Sequence, residues 1–505
     1  MSDNANLFSL IEANFPADLN APWLTTERGA VYSWNDLQQA SAKIANLLTS
    51  LALPKGSRVA VHVEKSPEAF LLYLATLRAG LIFIPLNTAY HSAEMRHFIG
   101  DARPAVVVCS PKNFGWLAQL AFQLGCSHVF TLDDTLPNQG SLLQRAAPLS
   151  GQFKTVTSQP GDIASILYTS GTTGKSKGAM LSHHNLSSNA IALQKAWQWQ
   201  ASDVLLHSLP LFHVHGLFIS CHVALISGSQ LIFLRKFDAS QVLNFIPRST
   251  VFMGVPTYYV RLSEHAGLTQ ELCSTMRLFI SGSAPLLSDT FYNFQQRSGH
   301  TILERYGMSE TNVISSNPCQ GERKAGTVGL ALADEQVRAV NDAGEPCDVN
   351  AIGHIQVKGP NVFQGYWNMP EKTVQEFTED GFFKTGDLGK FDHQGYLSIV
   401  GRSKDLIISG GYNIYPKEIE LILDAVPGVV ESAVIGLPHK DFGEAVCAVL
   451  VCNQTIDTNQ LIVTLKTQIA NFKVPKKIVV VAELPRNSMG KVQKKILRDQ
   501  LSTVL

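Results

Sequence analysis

The chain has no surplus of charge. Lys+Arg and Asp+Glu are both 41 in 505 residues, so the formal net charge is zero. A broad grip on nucleic acid or on an anionic membrane needs an excess of cations, so both partner classes are set aside and any anion must be held by a local cluster. C-x-x-C pairs are missing as well. The eight cysteines (Cys109, Cys126, Cys221, Cys273, Cys319, Cys347, Cys447 and Cys452) are scattered, several in apolar runs such as "VVVC". That excludes a zinc site or a disulfide framework and predicts buried, reduced thiols in a cytoplasmic protein. The N-terminal "MSDNANLFSLIEANF" has neither a basic region nor a long apolar stretch, and the first basic residue is Arg28, so no leader peptide is expected. The most apolar window, "GLFISCHVALISGSQLIFL" (216–234), is interrupted by His222, Ser227, Ser229 and Gln230. It reads as a buried helix followed by a buried strand, not as a membrane span.

What is present is ordinary globular material, 45% hydrophobic and 16% charged, long enough for about two to four domains. Up to about residue 400 the chain alternates strand-like and helix-like pieces. "SRVAVHVE" (57–64) is β-branched, and "SPEAFLLYLATLRAG" then opens on a serine cap with proline next and runs to Gly80. "PAVVVCS", "DIASILYTS", "SQLIFLRKF", "STVFMGVP" and "MRLFISGS" are short apolar strands, each followed by a helical stretch. The rhythm predicts an α/β fold with largely buried sheets. Residues 326–400 change to short strands with glycine-rich turns, an antiparallel or barrel-like subdomain. After "GRSKDLIISGG" a compact α+β unit of about 100 residues follows, with the helix "YPKEIELILDAV" and the strand "VVESAVIGLP". The predicted organisation is a large N-terminal α/β domain (1–402, with 326–400 β-rich) and a small C-terminal α+β domain (403–505), with the boundary near Arg402–Asp405. Repeats and low-complexity tracts are absent.

One loop carries chemistry. "YTSGTTGKSKGAMLSHHNL" (168–186) leaves a buried strand and enters a run with Gly171, Gly174 and Gly178, the hydroxyls of Thr169, Ser170, Thr172 and Thr173, and the cations Lys175 and Lys177. Backbone N–H groups, hydroxyls and a cation together can wrap a polyphosphate. A Walker A loop is rejected: its leading glycine would be residue 169, which is threonine, and "GAML" continues as a strand where that fold needs a helix.

This loop closely resembles the phosphate loop of the adenylate-forming enzymes: acyl-CoA synthetases, luciferases and peptide-synthetase adenylation domains. The resemblance recurs in order through "LPLFHVHG" (209–216), "SGSAPL" (281–286), "ERYGMSET" (304–311), "FFKTGDLG" (382–389), "GRSKDLIISGGYNIYPKEIE" (401–420) and "PRNSMGK" (485–491). Within the superfamily, "ERYGMSETN", "LPLFHVHGLF" and "GVPTYYVRL" are most similar to malonyl-CoA synthetases. The resemblance implies an ATP-, Mg2+- and coenzyme A-dependent, AMP-forming ligase. A carboxylate would attack the α-phosphorus of ATP, and the CoA thiol would then attack the acyl-adenylate. The alternatives are a CoA ligase for another short-chain, methylmalonate-like or aryl acid, and a stand-alone adenylation enzyme loading a carrier protein.

The same resemblance assigns roles. Lys491 is the catalytic lysine, Glu310 the Mg2+ ligand, and Thr169 a phosphate contact with a catalytic part. The nucleotide site takes in Thr169, Ser170, Gly171, Thr172, Thr173, Gly174, Lys177, the backbone at Ser283 and Ala284, then Glu304, Arg305, Tyr306 (stacking on adenine), Gly307 and Ser309, with Asp387 and Arg402 at the ribose. His213 lines the carboxylate end, and His215 is a second imidazole that a strand would set on the same face. Lys404 is the hinge about which a mobile C-terminal domain turns, and Gly410 and Gly411 let pantetheine pass. A second carboxylate on the acid requires a cation, since burying it unpaired is costly. Arg261, on the helix that starts at Pro256, is the first choice and Arg305 the rival; Ser283 and Met308 complete the acyl site.

Overall fold

The computed structural model describes residues 4–133, 139–169, 176–409, 412–439, 442–487, 490–502 and 504. By packing, these fall into two compact units. One is residues 1–336 with 358–381, and the other is residues 337–357 with 382–505.

The larger unit is α/β, as the alternating pattern predicts. Its six-stranded sheet runs in the order His128–Thr131, Val106–Cys109, Arg58–His62, Ile82–Pro85, Ile163–Thr169 and Lys177–Ser182. The first five strands are parallel and the last pair is an antiparallel hairpin, so "GAML" is a strand, as the sequence indicated. The helix Pro67–Arg78 begins at an N-cap Ser66 whose side chain accepts from Ala69 N, and its C-cap Ala79 is followed by Gly80, which takes φ 67°. The second sheet has nine strands, with the parallel neighbours Leu303–Met308, Leu278–Ser281, Val251–Gly254, Val204–His207 and Gln230–Phe233 at its centre. Segments leaving the ends of these central strands carry His213, His215, Ser283, Ala284, Ser309 and Glu310, where α/β sheets commonly bind ligands.

The apolar window at 216–234 is buried, but its first part, His215–Cys221, is a π-helix that passes into the α-helix His222–Ile226 before the strand Gln230–Phe233. A π-turn widens the helix locally and is common next to functional groups. Among the described residues no helix is long and apolar enough to cross a membrane. All eight cysteines are unpaired thiols, six of them buried.

The smaller unit holds an antiparallel sheet, open at both ends, whose outer strands are Gln336–Val340 and Leu397–Arg402. It also holds an α+β part in which Val429–His439 pairs with Gly443–Cys452 over the helix Pro416–Asp424.

Aromatic packing dominates one core of the larger unit. Phe279 is 0% exposed, and its ring lies edge-on to Phe294 at 4.9 Å and to Phe252 at 6.4 Å. Phe279→Ala should lower the stability of this unit by about 3–5 kcal/mol. Urea unfolding followed by circular dichroism tests this, and a change below about 1 kcal/mol would contradict the packing described.

Candidate functional site

Glu310 sits in the turn of the hairpin formed by Leu303–Met308 and Asn312–Ser316. The turn is tight. A Cβ on Gly307 would overlap the carbonyl oxygen of Asn312, and Asn312 itself takes φ 53°. The Glu310 side chain is 6% exposed. Its Oε1 accepts from Tyr366 Oη at 3.0 Å and from Thr169 Oγ1 at 3.4 Å. Among the described residues no cation pairs with this carboxylate. A buried carboxylate with hydroxyl neighbours and no counter-ion fits Mg2+, which takes one or two carboxylates and fills its remaining positions with phosphate oxygens and water. Tyr366 is a residue that the sequence reading missed. Its only signal is an aromatic pair after glycine in "GYW", 56 positions from Glu310.

A second group lies around Arg305. This arginine is 3% exposed, and its Nε and Nη2 have no hydrogen-bond partner. The guanidinium packs under Gly282, where a Cβ would come within 2.5 Å of Cζ. Burial pulls its pKa down to about 9, with Tyr259 acting in the opposite sense. His215 is fully buried; its Nδ1 meets Ser283 Oγ at 3.2 Å, and its Nε2 has no partner. Burial, and then the charge of Arg305, hold this imidazole well below its ordinary pKa, so it is neutral. His215 opens the π-helix and His213 lies in the preceding bend. The strand that would have aligned the two rings is not formed; instead His215 N donates to His213 Nδ1 at 3.1 Å. Ser283 holds its place at φ 74°.

In the smaller unit Asp387 is opposite Arg402 across two antiparallel strands, with Arg402 Nε 2.7 Å from Asp387 Oδ1. Lys491 is partly buried and lies near the same pair. Burial, and then Arg402, lower its ammonium pKa to about 8, while Asp387 opposes the shift. Lys404 is exposed in the single turn Ser403–Asp405, and Arg498 holds Asp405 at 2.7 Å.

The other predicted residues fall as follows. Glu304 is buried and accepts from Leu286 N at 3.1 Å. Ala284, Tyr306, Met308 and Ser309 are half-buried in the larger unit. Lys177 is buried, its ammonium 4.1 Å from the Tyr366 ring centre and 3.7 Å from Glu376, so its charge is already partnered. Arg261 is exposed on the helix Pro256–Glu264. Ser170, Gly171, Thr172, Thr173, Gly174, Gly410 and Gly411 lie outside the described residues.

The AMP-binding enzyme family matches residues 13–367, and the AMP-binding enzyme C-terminal domain matches residues 418–491. A malonate–CoA ligase of Arabidopsis thaliana is 35% identical over 481 residues, covering 88% of this chain and 78% of its own. The mitochondrial malonate–CoA ligase of Mus musculus is 34% identical, covering 85% and 79%. The crystal structure of ATP-bound MatB from Rhodopseudomonas palustris has a TM-score of 0.97 at 50% identity, with 99% of each chain covered. With the ordered motifs and with matches in both compact units, this protein belongs to the AMP-binding enzyme family, the adenylate-forming enzymes.

Proposed function

We propose that the protein is an ATP-dependent, AMP-forming ligase that converts malonate to malonyl-AMP and then to malonyl-CoA. The observation that carries the choice of acid is Arg305, a buried guanidinium with unpartnered nitrogens beside a neutral imidazole. A monocarboxylic acid that commits its one carboxylate to ATP leaves that cation unpaired. A dicarboxylic acid brings a second carboxylate, which the guanidinium accepts in a bidentate pair while His215 and Ser283 supply neutral hydrogen bonds. The malonate–CoA ligases among the relatives support the same acid. Arg261 remains the second candidate cation; its exposure makes it the weaker one, because an ion pair in water contributes little.

In the first half-reaction a malonate oxygen attacks the α-phosphorus, the bond to the bridging oxygen breaks, and pyrophosphate leaves. In the second, the CoA sulfur bonds to the acyl carbon, the bond to AMP breaks, and the thiol proton is released. This chain binds, orients and neutralises charge. Glu310, supported by Tyr366 and Thr169, holds Mg2+, which neutralises phosphate charge when bound. Residues 169–174 and Ser309 contact phosphate, Tyr306 stacks on adenine near the Ser283–Ala284 backbone, and Asp387 accepts from the ribose hydroxyls with Arg402 assisting. Lys491 steadies the carboxylate and the α-phosphate, and His213 lines the reacting end. Lys404 is the pivot at which residues 403–505 turn against 1–402 after adenylation, and Gly410 and Gly411 line the path of pantetheine. The eight unpaired thiols support a cytoplasmic location.

Four outcomes test this reading. With ATP, Mg2+ and CoA, malonate should yield AMP and malonyl-CoA, and acetate far less; equal rates would remove the dicarboxylate argument. Arg305→Met should raise KM for malonate by about a hundredfold or more, yet raise Tm, because it removes an unpaired buried charge; Arg261→Ala should change KM less. Lys491→Ala should abolish malonate-dependent ATP–pyrophosphate exchange but spare thioester formation from supplied malonyl-AMP, and equal loss in both would contradict its role. Glu310→Gln should raise the Mg2+ concentration needed for exchange by about tenfold or more; an unchanged requirement would place the metal elsewhere.

A further inference from the structure

The Glu310 turn is braced from behind by a chain of contacts that ends in a carboxyl group. Asn361 is 0% exposed, and its Nδ2 donates to the carbonyl oxygens of Thr311 at 2.7 Å and Val313 at 3.3 Å. Phe363 N donates to the carbonyl oxygen of Glu310 at 2.8 Å, so residues 361–363 lie along the turn. Asn185 holds the same segment from its other side, with Nδ2 2.8 Å from the carbonyl oxygens of both Pro360 and Val362.

These bonds fix the orientation of the Asn361 amide. Turning it over would set Oδ1 against two carbonyl oxygens, so Oδ1 must face away from them. There it meets Glu335, a residue 8% exposed whose backbone N–H closes a turn onto Leu332 at 3.0 Å. Asn361 Oδ1 and Glu335 Oε2 are both buried without a hydrogen-bond partner. They line one small space beside Gly359, where a Cβ would overlap Glu335 Oε2 and approach Asn361 Oδ1 to 2.7 Å. Two buried acceptors facing each other repel, and a proton on the carboxyl turns the conflict into a hydrogen bond.

The geometry points to protonated Glu335 as a positioning residue: its carboxyl O–H donates to Asn361 Oδ1, and through Asn361 it steadies the backbone that aims Glu310. The role rests on the reading of Glu310 as the metal ligand. Burial, and then the neighbouring carboxylate of Asp334, push the Glu335 carboxyl up to about 8, while its contact with the Asn361 side chain acts in the opposite sense. The proton is therefore in place at neutral pH and is lost in alkali.

The sign of the pH effect follows. Between the ordinary carboxylate range and about pH 8 the folded chain holds a proton that the unfolded chain releases, so this group draws stability down as pH rises through that window. Glu335→Gln carries its N–H at every pH and lacks the slope. On the full chain, its Tm advantage over the wild type should grow from about pH 5 to about pH 9. The wild-type to variant ratio of kcat/KM for MgATP should fall about tenfold between about pH 7 and pH 9, as a group near 8 empties. Taking the ratio cancels the titration of Lys491, which both proteins share. Glu335→Leu, without a donor, should lower kcat/KM at every pH. Parallel Tm curves for wild type and Glu335→Gln would overturn the proton. A growing Tm gap with a constant kinetic ratio would overturn the link to the turn. A growing gap with an unaltered Mg2+ requirement in Glu310→Gln would uphold the proton and overturn its service to a metal.

Discussion

Arg305 is withdrawn from water with no anion paired to it among the described residues, and the groups packed against it answer that imbalance. A desolvated guanidinium repels other cations and favours neutral or anionic neighbours. His215 is neutral for that reason as well as for its own burial. Gly282 is needed because any side chain there would strike the guanidinium. Ser283 adopts a left-handed backbone to bring its hydroxyl to His215. The result is a buried cluster with one positive charge and neutral polar groups, a charge count that suits a single carboxylate. Stability and recognition pull in opposite directions here, since the unpartnered cation that weakens the fold is the group proposed to select a second carboxylate.

Next to that cation lies the Glu310 hairpin, and its rigidity has a separate source. Side-chain amides grip its backbone from several directions: Asn361 at Thr311 and Val313, and Asn189 at Val313 with a 2.8 Å bond. Both amides are buried and donate to carbonyl oxygens of the turn and of the strand that follows it. The negative and positive members of the site therefore occupy one hairpin, Arg305 in its strand and Glu310 in its turn, and whatever steadies the hairpin steadies both.

The sequence reveals local features well. The Ser66–Pro67 helix start and the strand that begins at Lys177 both depend on residues a few positions apart. Contacts between distant residues leave no such trace. Tyr366 reaches Glu310 across 56 positions and Asn361 reaches Thr311 across 50, and neither pairing has a spacing that could announce it. The π-helix at His215–Cys221 was hidden for another reason: "HGLFISC" is buried on every face, so it has no polar stripe whose period could distinguish one helical pitch from another. Arg261 outranks Arg305 when only motif position is visible. Burial reverses the order, and burial is a property of the folded chain.

The two functional cations differ in a way that follows from their chemistry. Burial depresses both, Arg305 to about 9 and Lys491 to about 8. Delocalised charge starts from so high a pKa that even this loss leaves the guanidinium protonated throughout the physiological range, whereas an ammonium at about 8 gives up a growing fraction of its charge just above neutrality. The group proposed to hold the acid is thus insulated from pH, while the group proposed to steady the reacting oxygens is not. On the role proposed for Lys491, an incoming triphosphate would add negative charge near that ammonium and restore its proton, so the lysine would be charged when the nucleotide arrives. An arginine in that position would already be charged without nucleotide, and a lysine in place of Arg305, equally deep and equally unpaired, would lose its proton and with it the grip on a second carboxylate.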